Sequence, residues 1–150
     1  MTTSQQDRTW RLGRGLVLLA ALIYGVLPGI IDFFTPQHLG DPNWVGHQRF
    51  HLIWQIFLIL YLGVASLWYA WRADSPKRFD LIQRSASYGL IVLIAFFTSG
   101  ALAIPMGAAF GEPDEVLLGV PFPVIHFSIA SLVLLAGYLL CRRANLGADT

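Results

Sequence analysis

Apolar residues fill four long stretches of the chain, and charges fall almost entirely between them. Gly15–Ile31, Leu52–Trp71, Ser85–Gly111 and Val116–Cys141 contain no Asp, Glu, Lys or Arg. A hydrocarbon core about 30 Å thick needs roughly 20 helical residues at about 1.5 Å each. The last three runs meet that length, and the first does so once Leu12–Gly13 and Phe33–Phe34 are added around Arg14 and Asp32. The pattern predicts an all-α polytopic membrane protein, a four-transmembrane-helix bundle forming a single domain over residues 1–150. Its spans are expected at about 12–34, 50–71, 83–106 and 121–141. The third and fourth runs exceed the requirement, so their ends are expected to fray into interfacial turns around Pro105, Pro113, Pro121 and Pro123. The first segment has the basic start of a signal peptide, but its apolar stretch is too long and no A-x-A site follows, so it reads as a retained helix.

Composition narrows the class further. Hydrophobic residues make up 55% of the chain and charged residues 13%, against about 25% charged in soluble domains. That excludes a water-soluble globule and a disordered chain. A net charge of +1 leaves no basic excess for nucleic acid. The single cysteine, Cys141, excludes an intrachain disulfide and any CxxC motif.

Lys and Arg in the short loops set the expected orientation. Arg8, Arg11, Arg14, Arg72, Lys77, Arg78, Arg84, Arg142 and Arg143 fall on one side, and Arg49 alone on the other. Both termini are therefore expected in the cytoplasm, and the basic loops fit a bacterial inner (plasma) membrane best. Trp10, Trp68, Tyr69, Trp71 and Tyr138 then mark the inner interface, and Trp44 and Trp54 the outer one.

This topology places all four histidines, His38, His47, His51 and His126, on the non-cytoplasmic side, together with Asp32, Asp41, Glu112, Asp114 and Glu115. Asp32 near the end of helix 1, His51 at the start of helix 2 and His126 early in helix 4 are expected at similar depth, converging in one layer. His47, His51 and Gln55 are spaced i, i+4, i+8 and share a stripe. Gln55 is uncomfortable in lipid and is expected to face the bundle, taking the histidines with it.

Two imidazoles one turn apart can reach a single ion, and His47, His51, His126 and Asp32 together would form a four-ligand set for zinc, iron or copper. The plainer alternative is a pair of interfacial histidines bonded to loop carbonyls, with Asp32 snorkelling to water. Glu112, Asp114 and Glu115 read most simply as a solvated acidic loop, and His38 as peripheral. Tyr24, Thr98, Ser99, Ser128 and Ser131 either line a polar cavity or, more simply, bond between helices. Gly25-x3-Gly29 and Ala103-x3-Gly107 are small-residue pairs for close helix approach. Pro28 is expected to kink helix 1 and free carbonyls near Tyr24 and Gly25.

The stretch from Asp32 to His51, DFFTPQHLGDPNWVGHQRFH, resembles a family of small four-helix membrane proteins of unassigned activity. That family carries an Asp at the end of helix 1, then a His, then Asn-Pro-x-Trp-x-x-His-x-Arg-Phe-His leading into helix 2. The matching positions are Asp32, His38, Pro42, Trp44, His47, Arg49, Phe50 and His51. Asp41 replaces the Asn, Val45–Gly46 replace a Pro-Pro pair, and the Asp-to-His spacing is one residue longer. The resemblance implies that this loop is a functional feature.

Three functions fit. The first is an enzyme or binding protein with its site at the outer leaflet. There His47, His51 and His126 are ligands or proton carriers, Asp32 is a fourth ligand or orients a histidine, Gln55 contacts the bound group, and Arg49 holds an anionic head. Its substrate would be a lipophilic small molecule arriving through the membrane lipid. The second is a non-catalytic subunit of a larger membrane complex, or a homo-oligomer, with Trp44 and Phe50 as anchors. The third is a b-type haem protein with His51 and His126 as axial ligands.

Overall fold

The structure, a computed structural model, describes residues 2–34, 46–106 and 116–147. Four helices in it are long and apolar enough to cross a membrane: α1 (Thr3–Phe34), α2 (Gly46–Arg72), α3 (Pro76–Met106) and α4 (Phe122–Leu146). The chain is a multi-pass membrane protein built as an all-α four-helix bundle. At the end bearing the termini each helix runs past the apolar stretch that announced it, whereas at the other end α3 stops at Met106 and α4 starts only at Phe122, inside their uncharged runs. The uncharged runs specify only what sits in hydrocarbon, while the helical ladder continues into the polar flanks.

α1 is the organising helix, packing on α4, α2 and α3, whereas α2 and α4 lie diagonally and are not neighbours. Three close approaches explain this. A Cβ at Gly25 would lie 2.5 Å from the Cα of Gly63 in α2, so the two backbones touch. A Cβ at Gly13 would lie 2.8 Å from the Gly137 carbonyl and from the Cys141 Sγ in α4. Gly89 in α3 makes room for the Tyr24 ring, which is fully buried. The expected Gly25–Gly29 pair does serve packing, with Gly29 set against Leu60. Without a hydrophobic drive between helices in lipid, such contacts and interhelical hydrogen bonds hold a bundle together.

Those bonds concentrate at mid-bundle. The Tyr24 hydroxyl donates to Ser66 Oγ of α2, which in turn donates to the Ser85 carbonyl of α3 at 3.0 Å. Ser66 and Ser85 Oγ are 2.7 Å apart. With its own proton committed to the carbonyl, Ser66 accepts from both Tyr24 and Ser85, and the three buried hydroxyls satisfy one another. Ser131, by contrast, bonds back to Phe127 within α4, and Thr98 and Ser99 are exposed.

At the end bearing the termini, α1 side chains cap the other helices. Trp10 Nε1 donates to the Ala73 carbonyl at 3.2 Å, and Arg14 donates to the Ala70 carbonyl at 2.9 Å and to the Trp71 carbonyl. Gln6 donates to the Ala144 carbonyl of α4 at 2.9 Å. Carbonyls in the last turn of a helix lack intrahelical donors, and a cation there also meets the negative end of the dipole.

At the opposite end, a short hairpin replaces the frayed turn expected around Pro121. Strands β1 (Val116–Leu117) and β2 (Val120–Pro121) pair antiparallel. Leu118 and Gly119 between them both have positive φ, 54° and 79°, the signature of a type I′ turn. α4 then starts at Phe122 with Pro123 in its first turn, where a missing N–H costs nothing.

Gly63→Leu is expected to destabilise the bundle by about 1–3 kcal/mol or more through forced backbone separation. Gly15→Ala, whose Cβ would meet nothing within 4 Å, is expected to be neutral or slightly stabilising. Reversible unfolding in mixed micelles, scored by far-UV dichroism, distinguishes the two.

Candidate functional site

Asp32 lies in the last turn of α1 and is half-buried. His47, Arg49, His51 and Gln55 occupy the first turns of α2, and His126 the first turn or two of α4. Asp32 and the α2 residues therefore sit at the same end of the bundle, whereas His126 lies deeper, level with Ile23 beside the Tyr24–Ser66 contact, so the single layer expected for Asp32, His51 and His126 does not form. His38, Asp41, Pro42, Trp44, Gly107, Glu112, Asp114 and Glu115 lie outside the described residues.

His47 and His51 meet as their spacing predicts. Their Nε2 atoms are 3.1 Å apart, and the rings stand edge to face with centroids 4.5 Å apart. Two nitrogens on one ion at about 2.0–2.1 Å, subtending roughly 90–110°, are about 2.9–3.4 Å apart. The pair has that bite. In the absence of an ion, one Nε2–H donates to the lone pair of the other.

The stripe does not face inward as expected. His47, His51 and Gln55 are exposed on the outer side of α2, which corrects the placement argued from Gln55. The buried side of α2 is instead Ile56, Gly63, Ser66 and Ala70. Close contact with Gly25 requires a small residue on the inward face, and that demand sets the rotation of the helix. Arg49, on a different face, is half-buried with its Nε shielded from solvent.

His126 is bonded to the backbone of α1 and is not grouped with His47 and His51. Its Nε2 is 2.7 Å from the carbonyl of Ile23 in α1. A carbonyl only accepts, so Nε2 carries the proton and is not available as a donor atom to an ion or a haem. The reason lies in α1, where Leu22–Val26 form a π-helical turn and the Leu27 N–H reaches the Leu22 carbonyl rather than that of Ile23. The next N–H in that register would belong to residue 28, which is proline and has none. Ile23 thus has a carbonyl that its own helix leaves unserved, and His126 supplies the donor. The freed carbonyl falls one residue before Tyr24, because the π turn shifts the register by one.

The four-ligand set of His47, His51, His126 and Asp32 is consequently not assembled. Among the described residues, no group of three or more His, Cys, Asp or Glu side chains is placed to hold an ion. His51, expected to flank a haem with His126, is exposed on the outer side of α2, while His126 is half-buried against α1 at the level of Ile23. Ser66 and Ser85 are not among the residues that the sequence marks as candidates; for Ser66 the available signal is a lone serine deep in an apolar span, whereas Ser85 opens its span with Ser87 two positions on. No family model, curated protein or solved structure matches the chain.

His126→Ala is expected to cost about 1–3 kcal/mol by stranding the Ile23 carbonyl. Pro28→Ala restores a backbone donor and is expected to reduce that cost. A double-mutant cycle on unfolding free energies should show coupling of at least about 0.5 kcal/mol between positions 28 and 126.

Proposed function

We propose that this protein carries a metal-binding site at the non-cytoplasmic end of its bundle, with His47 and His51 as its protein nitrogen donors. The observation that carries this reading is the 3.1 Å approach of their two Nε2 atoms. Imidazole nitrogen selects late first-row ions such as zinc, copper and iron over magnesium or calcium. Two protein donors leave the remaining positions to water or substrate, the condition under which a metal activates water or polarises an oxygen.

Around the pair, the chain's residues divide the work. Arg49, with its Nε shielded, offers a guanidinium for an anionic group at the same level. Exposure of His47, His51 and Gln55 on the outside of α2 opens the pair to a lipophilic substrate approaching from the bilayer. Asp32 ends α1 at the same end of the bundle, and His126 holds α1 and α4 in register instead of binding the ion. The orientation, with both termini cytoplasmic, rests on the nine basic residues at one end.

Elemental analysis of purified protein is expected to find near-stoichiometric zinc, copper or iron. His51→Ala should lose the ion, while a folded His126→Asn variant keeps it. Folded wild-type protein without metal, and unable to take it up from a zinc or copper buffer, would overturn the reading.

A further inference from the structure

α2 presents one face that no other helix of the bundle covers. Phe50, Trp54, Phe57, Tyr61, Val64, Trp68 and Trp71 are all exposed there. Successive members are alternately four and three residues apart along the whole helix. On a straight helix a strict seven-residue repeat drifts by about 20° per heptad. It stays on one line when the helix supercoils left-handed, which the inward residues Ile56, Gly63, Ser66 and Ala70 already call for at the same spacing, so the outward line is set straight for a second helix.

A second observation comes from Tyr61. It lies midway along the uncharged run Leu52–Trp71 and is 68% exposed. Among the described residues its hydroxyl makes no hydrogen bond. At the centre of a bilayer there is no water to take that proton, and a polar group left without a partner is costly.

We propose that this face is a dimer seam, occupied by α2 of a second copy of the chain. The two copies would be related by a two-fold axis along the membrane normal. In such a parallel pair each seam residue meets its own counterpart. The Tyr61 hydroxyl, donor and acceptor at once, then bonds to Tyr61 of the second copy. An unlike helix would have to bring an acceptor to that same depth, whereas an identical one does so by symmetry. No seam position is itself Asp, Glu, Lys or Arg, and the only guanidinium groups on its rings, Arg72 over Trp68 and Arg14 over Trp71 among the described residues, lie at the helix end where water and headgroups screen them. The aromatic residues pack edge to face or offset, at the shallow crossing of left-handed bundles.

The repeat also runs one step outward from Phe50 to His47. The same axis therefore brings two His47–His51 pairs to one end of the dimer, where they supply four imidazoles. This consequence rests on the metal reading above; the seam itself does not.

The test is energy transfer between full-length chains labelled at the N-terminus, in phosphatidylethanolamine–phosphatidylglycerol vesicles containing EDTA. Wild-type protein should dimerise with a stoichiometry of two, and Tyr61→Phe should weaken association about tenfold. Leu132→Ala, on the lipid face of α4, should leave it unchanged. In a Cys141→Ala background, Tyr61→Cys should oxidise to a covalent dimer and Leu58→Cys should not. A monomer at every protein-to-lipid ratio, a larger assembly, or equal cross-linking at positions 58 and 61 would overturn the seam. Replacing EDTA with zinc should tighten the wild-type dimer tenfold or more, and His51→Ala, beside the seam, should abolish that gain. A dimer in EDTA that zinc leaves unchanged supports the seam and overturns only the sharing of an ion between the two pairs; the metal reading itself is decided by the elemental analysis above.

Discussion

The backbone contact between Gly25 and Gly63 fixes more of this molecule than any other single interaction. Two helices can approach so closely only where neither carries a side chain, and a Cβ on either glycine would fall within 3 Å of the other backbone. The contact selects one inward face for α2, with Ser66 and Ala70 following Gly63 along it. Everything bulky or polar on α2 is thereby turned outward. The imidazole pair and the aromatic stripe owe their exposure to a requirement for smallness on the opposite side of the same helix. Ser66, carried inward by this rotation, meets Tyr24 and Ser85 and ties three helices together.

A second constraint operates one turn away. In hydrocarbon a carbonyl cannot borrow water, so a break in a helical ladder must be repaired by the protein. α1 breaks its ladder at Ile23, through a π turn followed by proline, and His126 of α4 repairs it. The two features explain each other, since a π turn before Pro28 would be costly without the imidazole. The imidazole in turn gains a fixed tautomer. A helix irregularity and a histidine that first suggests chemistry resolve into one structural device.

The spans were legible because hydrocarbon thickness imposes a length that uncharged runs either meet or miss. The same arithmetic put Asp32 and His51 at one end of the bundle but set His126 too shallow, because α4 begins only at Phe122 and packs His126 down to the level of Ile23. What sequence did not disclose was rotation about each helix axis. α2 is apolar nearly all round, so two opposite faces competed for the inside. Gln55 suggested one of them, yet near the helix end it can remain outside, whereas Gly63 deep in the span has no alternative partner. Pro28 announced a break but not which carbonyl it would free, because the π turn moved the register by one. The His47–His51 contact, governed by helical spacing alone, was readable; the failure of His126 to join it was not, since that depended on a carbonyl in another helix.

The histidines thus divide by the atoms they offer. His126 commits the Nε2 proton to a carbonyl, a bond that serves the fold and leaves that nitrogen without ligand character. His47 and His51 turn the same atom toward each other, so two lone pairs compete for one proton in a space of ionic dimensions. On the reading proposed above, such a pair on an outward face is completed by an ion, a substrate or a symmetry-related pair. The line of exposed residues from His47 to Trp71 carries the proposed seam along the rest of the same helix. One helix packed inward through its smallest residues leaves its chemistry and its contact surface on a common outward side.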